Sequence, residues 1–229
     1  MSLPFALSCQ PPHLVVTFDT PQTMLSWSIT KPGLEVARRV VWREVRNADL
    51  PPSDDPVVSI ERMFTQAGFG DAVTLVTSRD ITRYHVAQSN IEGISATAVA
   101  TAGLSNGERI GQRCREPVLM PGTVNILLHV STPLSEAALL ETASMVTQAR
   151  TVAIMDARVE RAGAIVTGTG TDCIVVAAPQ GADGARFAGM HTALGEAVGD
   201  AVYRAVEEAV SVWQADWAAA MARRNAAAE

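Results

Sequence analysis

The 229-residue chain is 48% hydrophobic, carries a net charge of −6, and has one lysine, Lys31, among scattered arginines. That is enough apolar material for a sizeable core, and with no basic stripe it argues against nucleic acid as a partner. Cys9, Cys114 and Cys173 are odd in number, far apart and without CxxC spacing, which suits a reducing compartment and argues against a zinc site or a disulfide framework.

The opening MSLPFALSC lacks a basic leader and a long apolar core. No apolar run reaches the roughly 18 residues of a bilayer span. A cytoplasmic chain without a membrane partner is expected.

In chain order, Leu14 to Phe18 and Met24 to Ile29 read as a strand pair split by turn residues 19–22. Leu34, Ala37, Val41 and Val45 fall at helical spacing and predict a helix over 34–45. Residues 47–56, rich in Asp, Pro and Ser, are the most linker-like stretch. Asp55 then caps a helix with Pro56 in its first turn, which Gly68 ends, and a strand follows over 72–77. Ser78 to Asn90 is a polar connection, and Ile94 to Thr101 a strand whose small side chains predict a helix packed close to the sheet. A strand over 126–130 leads to a helix capped by Ser135 and running to about Arg150. The β-branched run 174–178 is a buried strand, and His191-Thr192 opens a last helix in which Gly195 and Gly199 allow close approach. This alternation predicts an α/β fold of the α+β type: one compact domain, residues 1–229, with a mixed β-sheet layered against helices.

Three loops carry the chemistry. Thr101 to Gly111 places Ser105, Asn106, Glu108 and Arg109 among three glycines. Pro121 to Asn125 brings an amide to the mouth of a buried strand, where Asn125 must find partners. Val166 to Cys173, VTGTGTDC, alternates Gly and Thr into Asp172. The last loop lacks the third glycine and following helix of a dinucleotide fingerprint and the Gly-Lys-Ser/Thr of a Walker loop. Taken alone, it is either a turn satisfied by its own side chains or the wall of a site.

These motifs, TAGLSNGERIG, PGTVNILLHVSTPLSEAALLETASMVTQARTVAIMD, VTGTGTDCIVVAAP and AGMHTALGEAVGDAVYRAV, resemble in their order the adenosylcobinamide amidohydrolase (CbiZ) family. The resemblance is strong over 99–206 and weaker over 14–84, where Lys31, Pro32 and Trp42 depart from the family pattern. It implies hydrolysis of the aminopropanol amide of adenosylcobinamide to adenosylcobyric acid in corrinoid (cobalamin) salvage. The alternatives are a corrinoid-binding or regulatory module without hydrolysis, or an amidohydrolase of another amide. A small-molecule corrinoid is the implied partner, and a homo-oligomer stays open.

Amide hydrolysis needs an attacking oxygen, stabilisation of the oxyanion and a proton for the leaving amine. With no HExxH, HxH or Cys cluster, no metal ligands are assigned; no cofactor is expected, since the substrate itself carries cobalt. Asp172, His191 and Asn106 are the catalytic candidates, with Asp172 or His191 activating water or a hydroxyl. Ser105, Arg109, Asn125, Gly170, Thr171 and Glu196 are the substrate-binding candidates. His191 reads equally as a helix-start residue, and His129, inside an apolar strand, as a core histidine.

Overall fold

A computed structural model describes residues 2–50, 53–114 and 120–226. Its strands are β1 (Ala6–Gln10), β2 (His13–Ser26), β3 (Gly33–Glu44), β4 (Val73–Thr77), β5 (Tyr84–Ile91), β6 (Ile94–Ala102), β7 (Val124–Val130), β8 (Glu160–Arg161), β9 (Ala164–Ile165) and β10 (Cys173–Pro179). Its helices are α1 (Pro56–Gln66), α2 (Glu136–Asp156) and α3 (Ala193–Ala226). Eight strands form one mixed sheet in the order β4-β3-β2-β10-β7-β6-β5, with β1 paired to β2. The α/β class with a mixed sheet against helices is the one expected.

The sheet bends back on itself. Three strands separate β4 from β7 in the order, yet the two approach each other, and the Asn125 side-chain amide on β7 donates to the Val76 carbonyl on β4 at 2.8 Å. Inside the bend, Leu14, Trp42 and Leu75 from one half meet Val99, Leu127 and Val175 from the other. Outside it, α2 and α3 cover Ile126, Leu128, Ile174 and Val176, while Ile60 and Phe64 of α1 cover Val41. The small side chains Ala96, Ala98 and Ala100 of β6 face that helical layer, as their size predicts. Gly195 lets α3 start against the Ala188 and Gly189 carbonyls, where a Cβ would clash, whereas Gly199 faces open space.

The caps behave as read. The Asp55 carboxylate accepts from the Val57 and Val58 amides, and Ser135 from the amide of Ala138. The α2 helix runs past Arg150 to Asp156.

Three expectations are corrected. Residues 34–44 lie in β3, not a helix; it pairs antiparallel with β2 and parallel with β4. Val40 and Trp42 point into the bend and Val41 points at α1, so both faces are buried and the period-2 signal is hidden behind a chance helical spacing. The strand pair expected over 14–18 and 24–29 is instead one strand, β2, with a register shift between Thr17 and Gln22, where Pro21 is tolerated. Leu14, Val16, Phe18, Gln22, Met24 and Ser26 are all buried and share one parity, so the alternation crosses the interruption unbroken. Finally, the polar stretch 78–90 is a connection only to Arg83; its remainder is β5, paired with β6 at the sheet edge. Of the predicted linker 47–56, Pro51 and Pro52 lie outside the described residues.

Candidate active site

Strands β7 and β10 run parallel, with Asn125 beside Cys173, so the loops that deliver the chain into them end side by side. There the two halves of the bent sheet part and leave a cleft of about 440 Å³. Pro121 to Thr123, Asn125 and Gly170 to Cys173 line one wall, and Thr74 to Ser78 of β4 and its following turn line the other. Residues 27–29 close a side. Ser28 Oγ donates to the Thr74 carbonyl at 2.7 Å, and the Trp27 indole N–H donates to the Asp172 carbonyl at 2.8 Å.

Asp172 holds this wall together. One oxygen of its carboxylate accepts from the Val124 amide at 2.8 Å and from the Thr169 hydroxyl. The other accepts from the Thr169 amide at 2.9 Å and lies 3.2 Å from Nη1 of Arg150 on α2. Its side chain is only 6% exposed. A carboxylate with this many donors has its lone pairs committed.

Around that anchor the threonines interlock. Thr171 Oγ1 donates to the Gly122 carbonyl and to Thr123 Oγ1, both at 3.1 Å, and Thr123 Oγ1 donates to the Thr171 carbonyl at 2.8 Å. Gly122 admits no side chain, because a Cβ would stand 2.6 Å from both Asn106 Oδ1 and the Gly103 carbonyl. The loop 101–111 therefore backs the cleft wall through Gly122. Ser105 Oγ donates to the Pro121 carbonyl at 2.7 Å.

Two amide oxygens are left over. Asn125 is 1% exposed and its Nδ2 is engaged with Val76, but among the described residues its Oδ1 has no partner, nor has Oδ1 of Asn106. Orphaned buried acceptors are uncommon and are a resource for a bound donor. Cys173 lines the cleft, yet burial pushes its thiol up to about 11; protonated at neutral pH, it is a poor nucleophile. Among the described residues no three His, Cys, Asp or Glu side chains gather into a metal-holding group.

The structure brings Asp172, Thr171, Gly170 and Asn125 to the cleft and Asn106 and Ser105 directly behind it. Arg109 lies on the far side of the Gly168–Gly170 loop, with Arg150, and donates to the Ile165 carbonyl. His191 and Glu196 are not brought in. They begin α3 at the opposite end of the strands, beside Gly189, which lies against Glu141 in the early turns of α2. Arg150, nine residues further along α2, is the residue that reaches Asp172; at about 1.5 Å per residue that is a large part of the strand length. Of the two residues expected to activate water or a hydroxyl, Asp172 lies at the cleft and His191 does not.

A family model described as adenosylcobinamide amidohydrolase, CbiZ, matches residues 4–218. The chain belongs to that family. No curated protein matches it. Among solved structures, the PH0078 protein of Pyrococcus horikoshii OT3 is similar at 10% identity and TM-score 0.44, over 91% of this chain and 79% of its own. The L-aminopeptidase D-Ala-esterase/amidase of Ochrobactrum anthropi, described as a prototype for the serine aminopeptidases and a variant of the Ntn hydrolase fold, is similar at 13% identity and TM-score 0.39. That match spans 90% of this chain and 82% of the other.

Sequence reasoning missed the contributions of Trp27, Ser28, Thr123 and the β4 wall to this adenosylcobinamide amidohydrolase family cleft. Residues 27–29 read as a strand end, although Trp between two serines at a strand exit is a signal for an exposed aromatic at a site. The partnership of β4 with β7 had no local signal, because it arises from the bend of the sheet.

Proposed function

We propose that the protein hydrolyses the amide joining aminopropanol to the corrinoid of adenosylcobinamide, giving adenosylcobyric acid and aminopropanol. The observation that carries this reading is that PGTVN and VTGTGTDC, two of the motifs shared with the family, converge on one cleft and bond to each other through Thr123, Thr171 and Asp172.

Water must add across the C–N bond, with oxygen going to the carbonyl carbon and a proton to the amine. The Thr123 and Thr171 hydroxyls hold the attacking water, whose oxygen bonds to the carbonyl carbon as the C–N bond breaks and whose proton goes to the leaving amine. The backbone N–H of Gly170 polarises the carbonyl, in the manner of an oxyanion hole, while the Thr169 and Thr171 amides hold the loop in shape. Asn125 Oδ1 accepts from the scissile amide N–H, which fixes the orientation of the arm. Asp172 keeps the loop in register. Cobalt enters with the substrate, and the reading assigns no resident cofactor.

Incubating the full chain with adenosylcobinamide and following adenosylcobyric acid and aminopropanol tests this. Stoichiometric release of both supports it. Binding without release would select a corrinoid-binding module, and turnover of other amides only would select a different amidohydrolase.

A further inference from the structure

A corrinoid is far larger than a cleft of about 440 Å³, so a substrate of that class can insert its amide arm and must leave the macrocycle outside. What stands at the mouth then decides how the ring is held. Trp27 and Ile29 line the cleft while remaining 49% and 45% exposed. An indole half in water ordinarily rotates among rotamers, but this one is pinned through its N–H to the Asp172 carbonyl at 2.8 Å. Ser26 and Ser28 brace the backbone on either side, since Ser26 Oγ donates to the Ile174 carbonyl at 2.8 Å and accepts from the Ser28 amide at 3.0 Å. A fixed apolar plane beside a cavity too small for the whole substrate is a stacking platform, and aromatic faces of this kind bury much area at little entropic cost.

Resting on the function proposed above, we propose that Trp27 is the platform against which the conjugated corrin ring lies while the aminopropanol arm enters the cleft. Trp27 is thus a positioning and specificity residue. It makes ring binding and arm placement one event, because the atom that pins the indole belongs to the residue that anchors the Thr169–Asp172 loop.

The test uses the full chain with Trp27→Ala and Trp27→Phe. Binding is measured by equilibrium dialysis with adenosylcobyric acid, which keeps the ring and lacks the scissile arm, and turnover is measured with adenosylcobinamide. The expected result is at least tenfold weaker dialysis binding and a raised KM for Trp27→Ala, with kcat changed less than threefold, and partial recovery in Trp27→Phe, whose ring can stack but lacks the N–H that pins the indole. Binding by Trp27→Ala within twofold of the parent chain overturns the platform, as does equal loss in Phe and Ala. If Trp27→Ala does not fold, Trp27→Leu against Trp27→Phe makes the same comparison. Trp27-dependent binding with no turnover by the parent chain leaves the platform standing and removes the hydrolase reading. Absence of binding by the parent chain removes both.

Discussion

Arg150 and Asp172 sit 3.2 Å apart, with side chains 12% and 6% exposed, and this ion pair fastens the middle of α2 to the loop that enters β10. The guanidinium stands behind the cleft wall, facing the Glu108–Gln112 side rather than the cavity. Among the described residues Asp172 is the carboxylate paired with it.

Removing either partner leaves a mostly buried charge uncompensated, at a cost of about 3–5 kcal/mol. Asp172→Asn and Arg150→Met should each lower stability by about 3 kcal/mol in urea denaturation. Arg150→Met should also reduce aminopropanol release more than tenfold, though Arg150 does not line the cleft. Full activity in folded Arg150→Met would show that the loop does not depend on this anchor.

Gly122→Ala introduces a Cβ 2.6 Å from Asn106 Oδ1 and from the Gly103 carbonyl. Backbone on one side cannot yield cheaply, so a loss of about 1–3 kcal/mol is expected from overpacking, with a parallel fall in kcat. Gly199→Ala is the matched control: its Cβ would meet nothing within 4 Å, and alanine in a helix should stabilise by about 0.5–1 kcal/mol. Thermal melts of the two variants, one falling and one rising, check the pair.

His129 is buried in β7, its ring against those of Phe5 and Phe18, and burial pushes its pKa down to about 4. In the unfolded chain it titrates near 6.5, so between those values the unfolded state binds more protons, and stability rises with pH. The contribution is fully present above about pH 6.5 and is lost as pH falls toward 4, amounting to about 3 kcal/mol at one pKa unit per 1.36 kcal/mol. His129→Leu should remove that part of the slope. Urea midpoints at pH 7 and pH 4.5 for both proteins measure it; parallel slopes would show that His129 is not the group responsible.

How much of this was readable in advance differs from element to element. The helix start at Asp55-Pro56, the Ser135 cap and the strand at 174–178 are set by neighbouring residues, so local chemistry predicts them. β3 was misread because a strand buried on both faces shows no alternation. In the site, Asp172 stood out as the single carboxylate in a Gly-Thr loop, and its bonds to Thr169 are local, but its other partners, Val124 and Arg150, are each more than twenty residues away. His191 drew attention by residue type, and only the direction of α3 across the sheet shows which end it occupies.

The sequence alone determined the family, the loops that matter and the places where helices begin, because motifs, caps and turns are encoded over a few residues. Tertiary structure decided the rest. It bent one sheet until β4 faced β7, tied Asp172 to Val124, Thr169 and Arg150, set Trp27 at the mouth and left His191 at the far end. Those outcomes depend on long-range register and burial, which no window of the chain contains.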